Sequence, residues 1–490
     1  MILRKHTKVT NEIKYNRNLF SFFCLLFACT EALALYTQTF LIAIIPFFVL
    51  ACYAAWQYRF AAFLILLFSI SFSIEYQFSS SLGTDIPDEP LMLLVSFIFL
   101  AYWLYQPSVF SKKMWQHPIL LLLLLCIGWS VIATLFSSHT LISFKYLLAK
   151  SWYIGAFLMA PLILFKNEKN IRRATASLTV GIVAAAFIAL ARHYPYQFRF
   201  AYINDALQPF FRNHVNYAAL LVCAAPLLLG CFQLSKTKKQ KSLICIGFVI
   251  VFAALFFSYS RGAWLALLFG VISYGLIKKK LLFAAYITAI LIVLASVFWL
   301  RQNDHYLKFS NDFKTTIFHK NFSEHLIATY KLKDVSTAER FFRWVAGARM
   351  IKDNAAVGFG PGTFYYHYKS YGLPAFKTWV SDNEDHSTVH NYFLLTAIEQ
   401  GIPGLIFLLL LFGCLLYYAQ YLYHRTNILF YKTTSIITGI LVVMILTLNL
   451  LSDLIETDKI GSIFFLSMAV LMATDINTQK QPTSDFSPHM

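Results

Sequence analysis

Arginine and histidine recur in this chain at positions outside its apolar runs. Arg192, His193, Arg199 and Arg212 share one polar connection. Arg261 stands in a tight hairpin, Tyr259-Ser260-Arg261-Gly262, between two apolar segments. Arg340, Arg343 and Arg349 follow one another through a long polar interruption that His386 and His390 close. A guanidinium is planar, stays charged and donates paired hydrogen bonds, which suits a phosphate or diphosphate. A neutral imidazole near its usual pKa can take the proton of an attacking hydroxyl. Together these residue types could hold a diphosphate and activate an alcohol beside it.

The elements that must position them are membrane spans. The chain is 58% hydrophobic and 13% charged, whereas a soluble domain carries about 25% charged residues. Its mean hydropathy is +0.61. Apolar runs of about twenty residues recur, the length that crosses about 30 Å of hydrocarbon. The 48 Phe and 28 Tyr fit a lipid-facing surface with interfacial aromatic belts. The expected fold class is all-α, a polytopic transmembrane helical bundle with 12–14 crossings. The N-terminal transmembrane bundle is expected over 1–300, a small helical loop subdomain over 301–390, the C-terminal transmembrane helices over 391–474 and a tail over 475–490. The least secure crossings are 18–37 and 40–56, which almost touch, and the short pair 242–259 and 262–276 around Arg261. The basic start followed by a long apolar segment reads as a retained first helix rather than a cleaved signal.

A net charge of +18 raises nucleic-acid binding. Most of the lysines, however, sit in short loops, where they set topology. Membrane lipids, and no nucleic acid, are the expected surroundings. The eight Cys fall in apolar segments without a CxxC pair, so they read as small core residues.

Charge orients the array. Lys5 to Arg17, Arg59, Lys112–Lys113, Lys166 to Arg173, Lys236 to Lys241, Lys278–Lys280 and Arg425/Lys432 all fall on one side. That side is the expected cytoplasmic face of a bacterial inner membrane, with both termini on it. The arginines and histidines named first fall on the opposite, periplasmic side, against the topological bias. Arg192 and Arg199 are readily explained by snorkelling or by lipid phosphates. Arg261, alone between apolar segments, needs a cavity, partner or interface. An isoprenoid diphosphate-sugar is the natural anion at such a face.

Within the long interruption, Ala338–Ile351 has apolar residues at helical spacing, with Ser336 or Thr337 as N-cap and Gly358–Gly362 as the stop. A metal site is the alternative chemistry. His386 and His390 are four apart, with Asp382, Glu384 and Asp385 nearby, but neither His-Glu-x-x-His nor Asp-x-Asp is present. No metal and no cofactor is expected.

The order of motifs resembles that of the O-antigen ligase and polymerase superfamily. The Gly358-Phe-Gly-Pro-Gly-Thr-Phe364 turn is followed by Val389-His-Asn-Tyr-Phe-Leu-Leu and then Glu399-Gln-Gly-Ile-Pro-Gly-Leu405. Ser260-Arg-Gly-Ala-Trp and Arg212-Asn-His-Val-Asn-Tyr fit upstream, so the resemblance spans about 212–405. Asn354-Ala355 stands where the family often has proline. The resemblance implies a metal-independent, inverting GT-C-type glycosyltransferase working on undecaprenyl diphosphate. By it, Arg212 and Arg261 would bind the diphosphate and His390 would be catalytic, with Arg340, Arg343 and Asn391 in support. The acceptor expected is lipid A–core, as in a ligase, since only one outer loop is large. A polymerase joining repeat units, a protein O-oligosaccharyltransferase and a polysaccharide transporter are the alternatives.

Overall fold

The computed structural model describes residues 2–79, 82–309, 335–373 and 387–479. Helices make up nearly all of it, because a helix satisfies its own backbone where water is absent. The sheet among the described residues is a two-stranded hairpin.

The chain forms two units, residues 1–62 and 63–490. In the first, α1 (Ile2–Thr37) and α2 (Ile45–Gln57) meet through edge-on aromatic pairs, Phe23 with Tyr53 and Phe27 with Phe47. The helix α3 (Arg59–Ser69) runs across the boundary between the units, and α2 and α3 are apolar and long enough to span only as a pair. The crossings read at 40–56 and 60–76 therefore count together as one candidate span. Twelve helices are long and apolar enough to cross a membrane, or thirteen with that pair counted, among the described residues.

The second unit opens on β1 (Ile74–Ser79) and β2 (Leu82–Ile86), antiparallel with Ile74 opposite Ile86 and Glu75 opposite Asp85. Then follow α4 (Asp88–Tyr105), α5 (Pro118–Leu135), α6 (Thr140–Leu164), α7 (Glu168–His193), α8 (His214–Leu234) and α9 (Lys238–Phe256). After them come α10 (Arg261–Lys278), α11 (Leu282–Arg301), α12 (Val335–Asp353), α13 (Phe364–Tyr371), α14 (Tyr392–Arg425), α15 (Leu429–Leu451) and α16 (Asp458–Gln479). The centre of this unit is α8, α15 and α16, whose apolar windows are 72%, 78% and 94% buried, while α11 at 6% lies outermost.

Two boundaries differ from the sequence reading. The helix α12 begins at Val335, so Ser336 and Thr337 lie in its first turn rather than capping it. The crossing read at 400–423 is the second half of α14, which breaks at Gly401 (φ +70°) and has a short first half from Tyr392.

Successive spans reverse direction, so one face collects the β-hairpin, the turns 136–139 and 257–260, the loop 194–213, α12–α13 and the turn 452–457. Within this unit Lys112–Lys113, Lys166 to Arg173, Lys236 to Lys241, Lys278–Lys280 and Arg425/Lys432 fall at the opposite helix ends. At the start of α16 a buried charge cluster ties that helix to the segment before β1. Lys459 Nζ lies 2.8 Å from Asp458 Oδ2 and donates to Ser73 Oγ at 2.6 Å. Ser73 in turn donates to Asp458 Oδ2 at 2.6 Å, and the ammonium lies 5.4 Å from the Phe211 ring.

Removing one member of such a pair strands the other in a low-dielectric site. Lys459→Met is expected to cost about 3–5 kcal/mol, read as a lower thermal unfolding midpoint of the purified protein. Asp458→Asn/Lys459→Met should recover much of that loss.

Candidate active site

The glycine motif and the Glu-x-Gly motif form one lock. Gly358, Gly360 and Gly362 all have positive φ, +71°, +106° and +77°, the left-handed region that glycine enters without steric cost. They let the turn press into the break in α14. Phe359 N–H donates to Ile398 O at 3.0 Å and Gly360 N–H to Glu399 O at 2.8 Å. A Cβ on Gly358 would collide with the Glu399–Gln400 peptide, and one on Gly360 with the Ser137 hydroxyl. The Glu399 carboxylate then accepts from Gly362 N–H at 2.9 Å and Phe364 N–H at 3.0 Å. Phe364 N–H is an orphan amide at the start of α13 and Gly362 lies just before its Thr363 cap position, so Glu399 serves as a cap supplied from another helix. It is buried and aimed at backbone.

That lock fixes the far end of the first half of α14, and His390 stands just before its near end. Asn391 caps the helix, accepting from Leu394 N–H at 3.0 Å. His390 itself is left-handed (φ +53°), a conformation that costs a non-glycine residue energy and persists only where its surroundings impose it. Three contacts impose it. Trp344 Nε1 donates to Val389 O at 3.0 Å, Arg343 Nη1 donates to Thr388 O at 2.9 Å, and His390 N–H donates to Thr388 Oγ1 at 3.3 Å. Arg343 Nε also lies 3.6 Å from Glu339 Oε2 one turn earlier on α12.

Burial, then the Arg340 and Arg343 charges, pushes the His390 imidazole down to about 3. It is not near its ordinary value, as the sequence suggested; it is held neutral across the physiological range.

The turn between α15 and α16 gathers the remaining parts. Asn391 Nδ2 donates to Leu450 O at 3.1 Å, and Tyr392 N–H to Ser452 O at 3.1 Å. Gly262, next to Arg261, lies against Leu451, where an added Cβ would stand 3.4 Å from Cδ1. Burial raises the Asp453 carboxyl, while a bond from Thr388 and the Arg212 charge pull it back down. Glu456 accepts from Tyr146 OH at 3.0 Å and pairs with Lys150 Nζ at 2.9 Å.

Arg212, Arg261 and His390 share a local setting. Arg212 precedes Asn213, the cap of α8; Arg261 is the first residue of α10; His390 precedes Asn391, the cap of α14. Each therefore sits at a helix N-terminus on one face, where backbone amides and the helix dipole favour an anion. The arrangement can bind a polyanion and hold an uncharged imidazole beside it.

Arg340, Arg343, Asn391 and His390 come together, and Arg212 and Arg261 adjoin them through the 450–456 segment. Arg343 and Asn391 are committed to holding backbone, so they position rather than bind. Arg192 and Arg199 are exposed. His193 is buried, its Nε2 3.0 Å from Arg199 O, and Arg349 Nη1 donates to Tyr371 O at 2.8 Å. Asp382, Glu384, Asp385 and His386, weighed as metal ligands, lie outside the described residues. Sequence reasoning passed over Asp453, Glu456, Tyr146 and Lys150. Its available signal was the charge crowded into 453–459 between two apolar spans, where ionisable groups are costly.

The family model described as O-antigen ligase matches residues 246–409. The resemblance read from the motifs is thus borne out, over a stretch that holds Arg261, Arg340, Arg343, His390 and the Glu399 lock. Over that third of the chain the protein is similar to the O-antigen ligase family, and among the described residues twelve helices are long and apolar enough to cross a membrane. No curated protein matches it.

In Glu399→Gln an amide NH₂ would face one of the two backbone donors, leaving it unpaired. A loss of about 1–3 kcal/mol is expected, seen as a lower melting temperature. Stability should also depend on pH. His390 binds its proton more weakly folded than unfolded, where the value is about 6.5. Its contribution is full above that value and is lost as pH falls from there towards 3. The pH slope of the melting temperature below 6.5 should therefore be shallower in His390→Asn.

Proposed function

We propose that the protein transfers an O-antigen-type glycan from undecaprenyl diphosphate to lipid A–core at the periplasmic face of a bacterial inner membrane. The observation that supports this reading is the left-handed His390, held by Arg343 and Trp344 of α12, with Arg212 and Arg261 at helix N-termini on the same face.

In this mechanism Arg212 and Arg261 hold the donor's diphosphate. Asp453 keeps Arg212 in place, and Arg343 and Asn391 fix the His390 backbone. The diphosphate offsets the charge of Arg340 and Arg343 and so raises the proton affinity of the imidazole as substrate binds. His390 then takes the proton of the acceptor hydroxyl. That oxygen bonds to the anomeric carbon from the face opposite the diphosphate, and the carbon–oxygen bond to the carrier breaks. Its electron pair leaves on the diphosphate, where the arginines stabilise the added charge. Attack from the opposite face inverts the anomeric centre, and arginine takes the role a divalent ion would otherwise fill.

A polymerase reading uses the same centre with a repeat unit as acceptor. The single long connection between α11 and α14, against the short 194–213 loop, favours the ligase. Lipopolysaccharide banding of a deletion strain separates them. Core-only bands with long glycan left on the carrier support the ligase, and one repeat on core supports the polymerase.

His390→Ala is expected to lower turnover by about 10²–10⁴-fold with donor binding retained; normal turnover would remove His390 as base. Arg261→Ala should cost about 10²–10³-fold in kcat. In the wild type, kcat/KM should show no acid limb from His390 between pH 5 and 8, since the free imidazole titrates at about 3.

A further inference from the structure

A cluster of rings lies on the same face but outside the diphosphate centre. The turn 136–139 brings His139 against α13, its ring centroid 4.6 Å from Tyr366 and 5.5 Å from His367. Phe359 lies 4.8 Å from His367 and 6.0 Å from Tyr371. The planes of His139 and Tyr366 are tilted by 40°, and those of His139 and His367 by 42°. The rings therefore fan out, and some ring surface stays open. Tyr366 is 54% exposed and His139 is exposed as well.

The ledge is held from behind. Ser138 Oγ is 2.7 Å from His367 Nε2, and Ser138 N–H donates to Phe359 O at 3.3 Å. Burial and the neighbouring His139 lower the proton affinity of His367, so its ring is presented neutral. The exposed Tyr366 ring at the front of this ledge carries no charge to draw a phosphate. An aromatic face carries partial negative charge, and the apolar C–H face of a pyranose ring is its complement, with nearby hydroxyl and imidazole nitrogen for the sugar's own hydroxyls. Arg349, bonded to Tyr371 O at 2.8 Å, is six residues along α12 from Arg343, about 9 Å of helix rise. The ledge and the His390 segment are thus both tied to α12, through Arg349 and Arg343.

We propose that His139, Tyr366 and His367 form a sugar-binding subsite that seats a pyranose ring remote from the bond being made. This rests on the glycan-transfer reading and names where that glycan is gripped. The ring could belong to the donor glycan or to the core oligosaccharide of the acceptor, which share this chemistry.

The test uses the full-length protein in lipid nanodiscs, with wild type, Tyr366→Ala and Tyr366→Phe. KM is measured separately for donor and acceptor, alongside kcat, and repeated with a donor carrying a single sugar. Tyr366→Ala should raise one KM roughly three- to ten-fold, the worth of one aromatic contact, with kcat kept and Tyr366→Phe near wild type. A rise for the donor that vanishes with the single-sugar donor assigns the ring to the donor glycan. A rise for the acceptor alone assigns it to the core. Unchanged KM for both, or an equal rise with the single-sugar donor, overturns the subsite. If the wild type makes no product, the transfer reading fails. Saturation-transfer NMR with the free oligosaccharide, wild type against Tyr366→Ala, then decides the subsite by itself: signal lost in the variant supports it, and equal signal overturns it.

Discussion

The turn from Leu450 to Glu456 is the constraint on which the arginine-bearing face depends. In a bundle buried among apolar side chains, each carbonyl and carboxylate at a helix end must find a donor from the protein itself. Here those donors come from other elements. The Leu450 and Ser452 carbonyls take Asn391 and the Tyr392 amide, and the Glu456 carboxylate takes Tyr146 and Lys150. Satisfying one turn therefore fixes the first half of α6 and the start of α14, and Asp453 adds a charge that acts with Arg212. Rigidity at the site follows from the cost of leaving these groups unpaired.

The glycines of the second lock act at the opposite end of the same short helix. Their role is conformational: positive φ at Gly358 and Gly401 lets two backbones approach where any Cβ would intrude. Glu399 caps α13 and shapes the site from a distance. A carboxylate in a family-like motif thus proves to be an anchor for backbone.

Much of this was legible in the sequence. Apolar runs and lysine placement give the all-α array and its two faces, because hydrophobic length and loop charge are local properties. Arg261 stood out because an isolated arginine between spans has few explanations. His390 and Asn391 stood out because they open a helix after a long interruption. What could not be read was pairing at a distance. Nothing local says that Tyr146 meets Glu456 across 310 residues, or that the arginines of α12 press on His390. That pressure is why its proton affinity departs so far from its ordinary range. That α2 and α3 reach spanning length only as a pair was also hidden, since hydropathy counts apolar residues and does not sense where a helix ends.

The three helix starts that adjoin the 450–456 segment have a consequence for turnover in the proposed reaction. Amide ends and guanidinium groups recognise charge, and a spent lipid carrier is as anionic as a loaded one. Under the proposed transfer such a centre retains its leaving group, so the carrier that remains competes with the next donor. Discrimination between the two has to come from the sugars, which only the loaded carrier brings. A neutral aromatic surface set apart from the charges is one place where that difference can be felt.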